Sequence, residues 1–182
     1  TNMKVELCVF KRRASNSGRG IFVKQSNHTK ISKNTFGDTD ATAYFVTAIN
    51  DNSTRTLIEE NIINRNALWV NEKETDHGIY AHSFDGLMIK NNTISGWPAD
   101  GTGGAVKARN SENLTITGNT MKDSGIILNV YDNLPTKYLK NVTIQNNIIT
   151  LKAGDIIDDI YSGIGYWKNT GDRLVFMKSL LK

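Results

Sequence analysis

Several residue types that usually mark a fold or a chemistry are scarce in this chain. Cys8 is the only cysteine among 182 residues, which excludes a disulfide framework and any metal site built from several thiolates. Its sequence context reads as that of a buried thiol. There are only two prolines. No apolar run is long enough to cross a bilayer, so membrane insertion is not expected. No signal peptide is visible, and the start at Thr1 reads as a processed or truncated end. His-x-Glu, His-Glu-x-x-His and close Cys/His sets are all missing, which argues against a transition-metal site. Charge of neither sign dominates: 22 Lys and Arg against 18 Asp and Glu leave a net +4. That excess attracts anions but forms no dense basic cluster. Lys11-Arg12-Arg13 reads as a solvated turn, so nucleic acid is not an expected partner.

What the chain does have is a repeat. "TKISKNTF" (29–36), "TLIEENII" (56–63), "LMIKNNTI" (87–94), "LTITGNTM" (114–121) and "VTIQNNII" (142–149) share the pattern x-x-Ile-x-x-Asn-x-apolar. The isoleucines are Ile31, Ile58, Ile89, Ile116 and Ile144, and the asparagines Asn34, Asn61, Asn92, Asn119 and Asn147. Successive asparagines lie 27, 31, 27 and 28 residues apart. Apolar and polar residues alternate before each Asn, which is the period of a strand. The Asn marks a turn, because it tolerates left-handed backbone and bonds to nearby main chain. Short strands at a period of about 27 residues predict a β-solenoid, in which equivalent residues of adjacent coils stack about 4.8 Å apart. An Asn at one turn of every coil then builds an amide ladder.

A second strand precedes the motif. Counting ten residues back from the isoleucine gives Ile21, Ile79 and Val106, in "GIFVKQ" (20–25), "GIYAHS" (78–83) and "AVKARN" (105–110). Alternation sends Ile21, Val23, Ile79, Ala81, Val106 and Ala108 inward, and Phe22, Lys24, Tyr80, His82, Lys107 and Arg109 outward. "AYFVTA" (43–48) is the corresponding segment of another coil, in an unassigned register. "GIILNVYDN" (125–133) continues the series with Ile127 and Asn129 facing out. Tyr80, His82, Lys107 and Arg109 should form a square on adjacent coils, with Asn129 on one side. Lys24 and Phe22 extend it on the other side if the intervening coil keeps register. The plain alternative is ordinary polar cover on the outside of a solenoid.

The repeat resembles the right-handed parallel β-helix of pectate lyases, chondroitinase-B-like and alginate lyases and phage tailspikes, over about residues 18–150. The expected fold is therefore all-β, a right-handed parallel β-helix of about six coils at a period near 27 residues. "GGAVKARNSENLTITGNTM" (103–121) looks like the Lys-bearing coil of the lyases, which implies Lys107 as base. Those lyases place an Arg on the following coil, where this chain reads "IILNVYDN"; Arg109 would have to substitute as the neutraliser of a uronate carboxylate. Tyr80 or His82 would then be the acid that protonates the leaving oxygen. The resemblance implies a lyase of acidic polysaccharide, with Ca²⁺ as its accompanying ion.

Other residues complete the expectation. Trp97, in the loop "SGWPADGTGG" (95–104), is a candidate sugar-stacking wall. His77 reads as a turn residue and a weaker substrate-binding candidate. Asp76 and Asp100 precede the outward strands and are candidates for either a Ca²⁺ site or the carboxylate pair of a hydrolase, with solvated turn acids as the plain alternative. Asp85 and Glu112 stand four residues before the motif isoleucine and are a further acid pair. A third class of function is non-catalytic, a carbohydrate-binding or tailspike/adhesin segment, with a homotrimer as the natural assembly. We expect one domain over 1–182: a partial first coil (1–19), regular coils (20–150) and a last coil with an apolar cap (151–182). With no evident N-terminal cap, it reads as a fragment of a longer, secreted or virion-associated protein.

Overall fold

The repeat closes into a parallel β-solenoid in which each coil lays a strand on each of three faces. The structure, a computed structural model, describes residues 2–11, 18–37, 47–65, 77–97, 104–122, 124–131 and 133–150, and the backbone of 164–168 and 172–174. The first face is built from Arg19–Asn27, Thr47–Thr54, His77–His82, Gly104–Arg109, Ile126–Val130 and Ile164–Lys168, all parallel. Asp172–Leu174 adds to its end in the antiparallel sense. The second face runs from Met3–Glu6 through Thr29–Ser32, Leu57–Glu59, Asp85–Lys90 and Ser111–Thr117 to Leu139–Gln145. The third holds Val9–Phe10, Thr35–Phe36, Ile62–Asn64, Thr93–Ser95, Thr120–Lys122 and Ile148–Thr150.

Each face sends apolar columns inward. Ile21, Ile49, Ile79, Val106 and Ile126 stack on the first face. Ile31, Ile58, Ile89, Ile116 and Ile144 stack on the second. Phe36, Ile63, Ile94, Met121 and Ile149 stack on the third, with Phe10 and Phe36 in parallel ring contact at 4.6 Å. The columns meet in one continuous buried cluster, so the coils are held by apolar contact along the whole axis. Gly20 and Gly78 turn the chain into the first face where there is no space for a side chain: a Cβ would come within 2.6 Å of the Ala48 carbonyl and 2.7 Å of the Ala105 carbonyl.

The asparagine ladder stands at the corner between the second and third faces. Asn34, Asn61, Asn92 and Asn119 are buried, and each donates from Nδ2 to the Oδ1 of the next at 2.9–3.0 Å, ending on Asn147. The same Oδ1 atoms accept the backbone N–H of the preceding rung. Nδ2 also reaches back to the carbonyl of the motif isoleucine one coil away, as from Asn92 to Ile58 at 3.0 Å. The left-handed residue is not this Asn but the one before it: Lys33, Glu60, Asn91, Gly118 and Asn146 all have φ between 54° and 67°. Asn is required at the rung for its two-ended amide, not for its backbone. Cys8 occupies the first rung, its backbone N–H donating to Asn34 Oδ1, and it is exposed rather than buried.

One strand departs from the expected count. The second-coil strand is Thr47–Thr54, whose Ile49 pairs with Ile79 and lies nine residues before Ile58 rather than ten. The segment 43–46 lies outside the described residues. This register puts Asp51 in the inward column between Val23 and Ala81, fully buried at 0% exposure. Thr56 Oγ1 donates to its Oδ1 at 3.1 Å, while Oδ2 has no partner. Burial raises its pKa from 3.8 to about 6, against the opposing hydrogen bonds of Thr56 and Ser53.

Candidate functional site

The outward side chains of the first face form two columns. Phe22, Asn50, Tyr80, Lys107 and Ile127 make one. Lys24, Asn52, His82, Arg109 and Asn129 make the other, Asn52 following Asp51 beside Ala81 and so falling next to His82. Lys107 pairs with Tyr80 and Arg109 with His82, so the structure brings together the square expected from the sequence. Asn129 stands beside Arg109 on the next coil. No acid stands in either column.

Aromatic rings organise the square. His77 stacks on Tyr80 at 5.0 Å with 19° between the planes, and His82 lies tilted against the same ring at 5.4 Å. The Arg109 guanidinium sits 5.5 Å from the Tyr80 ring and 5.0 Å from that of Tyr131. Lys107 Nζ lies 5.8 Å from the Tyr131 ring. The guanidinium thus lies against two rings and also hydrogen-bonds the Tyr80 hydroxyl, while Arg109 Nε has no hydrogen-bond partner. Asn110 holds Tyr131 in place: its Oδ1 accepts the Tyr131 N–H at 3.0 Å, and its Nδ2 donates to the Tyr131 and Thr136 carbonyls at 2.6 and 2.8 Å.

Tyr131 escaped the sequence reading although the signal was there. Two residues past Asn129, strand alternation carries the outward side onto it.

The environment moves two of these groups in useful directions. Burial raises the Tyr80 phenol, with the positive charges of Arg109 and, more weakly, Arg19 opposing it. Burial and then Arg109 hold the His82 imidazole below its usual 6.5. At neutral pH His82 is therefore a neutral acceptor and Tyr80 a protonated donor.

Other expected residues fall elsewhere. Lys107 is outward but only 6% exposed, and Asn129 only 2%. His77 is the first residue of its strand, buried against Tyr80, not a turn residue. Trp97 is 1% exposed and belongs to the core cluster, so its ring offers no face to a sugar. A loop tryptophan closes the core here because the third-face strand ends just before it, at Ser95. Lys24 is exposed at the far end of its column. Asp76 and Asp100 lie outside the described residues. Asp85 and Glu112 do stack in register, but Asn113 Nδ2 donates to Asp85 at 2.7 Å and Lys140 pairs with Glu112 at 2.8 Å.

Comparison with known families gives one match. A model described as "Periplasmic copper-binding protein (NosD)" matches residues 9–173. The chain belongs to the NosD family. No curated protein and no solved structure matched in the other two comparisons.

The copper in the NosD description calls for a test against these residues. Among the described residues no three His, Cys, Asp or Glu side chains gather into a ligand group. His77 and His82 both lie against the Tyr80 ring and share their face with Lys107 and Arg109, whose charges oppose a cation. Cys8 stands on the first rung of the ladder, three coils from that of Asn92. These residues do not fit a copper centre.

Proposed function

We propose that the first face binds an acidic polysaccharide and cleaves it by β-elimination. The observation that carries this reading is Arg109, fixed between Tyr80 and Tyr131 beside a neutral imidazole, in columns without an acid. Arg109 pairs with the uronate carboxylate through two parallel N–H bonds and so acidifies the proton at C5. His82 removes that proton. The electron pair forms the C4–C5 double bond as the C4–O bond breaks, and the Tyr80 hydroxyl protonates the departing oxygen. The resemblance to the lyases implies Lys107 as the base. Its 6% exposure favours the more open His82 for proton abstraction and leaves Lys107 to keep the face positive. The word "periplasmic" in the family description supports a location outside the cytoplasm.

The burial of Lys107 and Asn129 favours a second reading, recognition without cleavage. The hydrolase alternative needs Asp76 and Asp100 and gains no support from the described residues.

The test is a screen against alginate, pectate, chondroitin, heparosan and hyaluronan, with and without calcium, following the ultraviolet absorbance of the unsaturated uronate. A rising signal that His82→Ala removes supports the proposal. Tight binding with no absorbance moves the case to recognition alone. New reducing ends without absorbance, or no binding to any of the five, would sink it.

A further inference from the structure

We infer that the Arg19–Phe22–Lys24 end of the first face is a second, outer subsite for an acidic sugar, two coils from Tyr80. The inference rests on the acidic-polysaccharide reading above and extends it along the axis. Phe22 is 49% exposed on the outward column, a large apolar ring left open to solvent. The Arg19 guanidinium lies 4.9 Å from the centre of that ring, repeating the Arg109–Tyr80 arrangement of the inner site. Lys24 projects from the same strand two residues on, about 6–7 Å away. One aromatic face with two cations beside it suits a pyranose bearing a carboxylate: the ring takes the sugar's apolar face and the cations take its charge.

Continuity joins the two subsites. Phe22 pairs with Asn50 and Asn50 with Tyr80, so the rings are two coil steps apart, or about 10 Å. Arg19 is close enough for its charge to act on the Tyr80 phenol. Between them Asn50 and Asn52 each keep an Oδ1 without a hydrogen-bond partner. Buried acceptors of this kind cost stability. From Arg19 to Arg109 the face carries four cations and, in its two columns, no acid. The occupant is therefore a polyanionic chain running parallel to the solenoid axis.

Calorimetric titration with disaccharides and hexasaccharides of galacturonate and of mannuronate tests the inference, in a His82→Ala background so that the probes stay whole. The hexasaccharide should bind more tightly than the disaccharide. Phe22→Ala should lower its affinity about tenfold and leave the disaccharide unchanged. Lys24→Ala should give a smaller loss that fades with added salt. If Phe22→Ala leaves the hexasaccharide unaffected while Tyr80→Ala weakens both probes, the outer subsite is refuted and the inner site stands. If no probe binds before Phe22 is changed, both readings fall.

Discussion

The first and second faces share one core and one repeat, yet they treat charge in opposite ways. On the second face each cation has an acid beside it. Lys30 and Lys90 meet Glu59 at 2.9 and 3.0 Å, Lys4 meets Glu6 at 2.5 Å, and Lys140 meets Glu112 at 2.8 Å. On the first face Arg19, Lys24, Lys107 and Arg109 stand among aromatic rings and amides with no acid in their columns. A solenoid needs only a polar exterior, and the second face shows that this can be built with charges balanced. The imbalance on the first face is not a requirement of the fold, which is why we propose binding there.

Removing a rung of the ladder that ties the coils together should have the largest effect. Asn92→Ala deletes hydrogen bonds to Ile58, Lys90 and Asn119 and removes the acceptor of the Asn61 backbone N–H and of one Asn61 Nδ2 hydrogen, the other still bonding Ile31. We expect a loss of about 3–4 kcal/mol in urea unfolding, with both faces melting together.

Asp51 lies beneath the first face only and offers the next largest effect. Its folded pKa, near 6, exceeds the ordinary 3.8, so the protonated form is favoured by folding. Stability from this group is present below about pH 4 and is lost as pH rises through about 6. A rise of about two pH units at about 1.36 kcal/mol each sets the scale at about 3 kcal/mol. Asp51→Asn should therefore raise the melting temperature at pH 7 and flatten the pH 4–7 stability profile.

Arg109→Lys sharpens the contrast in function. It keeps the charge but loses the planar fork, so affinity for the acidic polymer should fall about tenfold with stability unchanged. Glu59→Gln gives the smallest effect. It unbalances the second face at a cost of about 0.5–1 kcal/mol, reduced by salt, and should leave polysaccharide binding untouched. Were Glu59→Gln to alter binding as much as Arg109→Lys, the two faces would not differ as argued.

The scaffold was legible because its code is periodic. The isoleucines and asparagines recur at one spacing, and the structure stacks them in the register that the spacing implies. The square was legible for the same reason, since alternation from Ile79 and Val106 fixes which side chains face out. What was missed lies where the period slips or the pattern ends. Thr47–Thr54 sits one residue nearer its motif than its sister strands, which hid Asp51 in an inward position. The ladder Asn was credited with a backbone role that belongs to its predecessor, because an Asn signals both a left-handed residue and a bonding amide. Trp97 looked like loop exterior because Gly and Pro surround it, but core closure claimed its ring.

The central claim is best tested by mass spectrometry of the fragments that the purified chain releases from an acidic polysaccharide. The account predicts chains ending in an unsaturated uronate, each lighter by one water than a hydrolysed fragment, and strongly depleted when Arg109 is replaced by Lys. Fragments carrying the added water, or an undiminished unsaturated series from the Arg109→Lys chain, would contradict it.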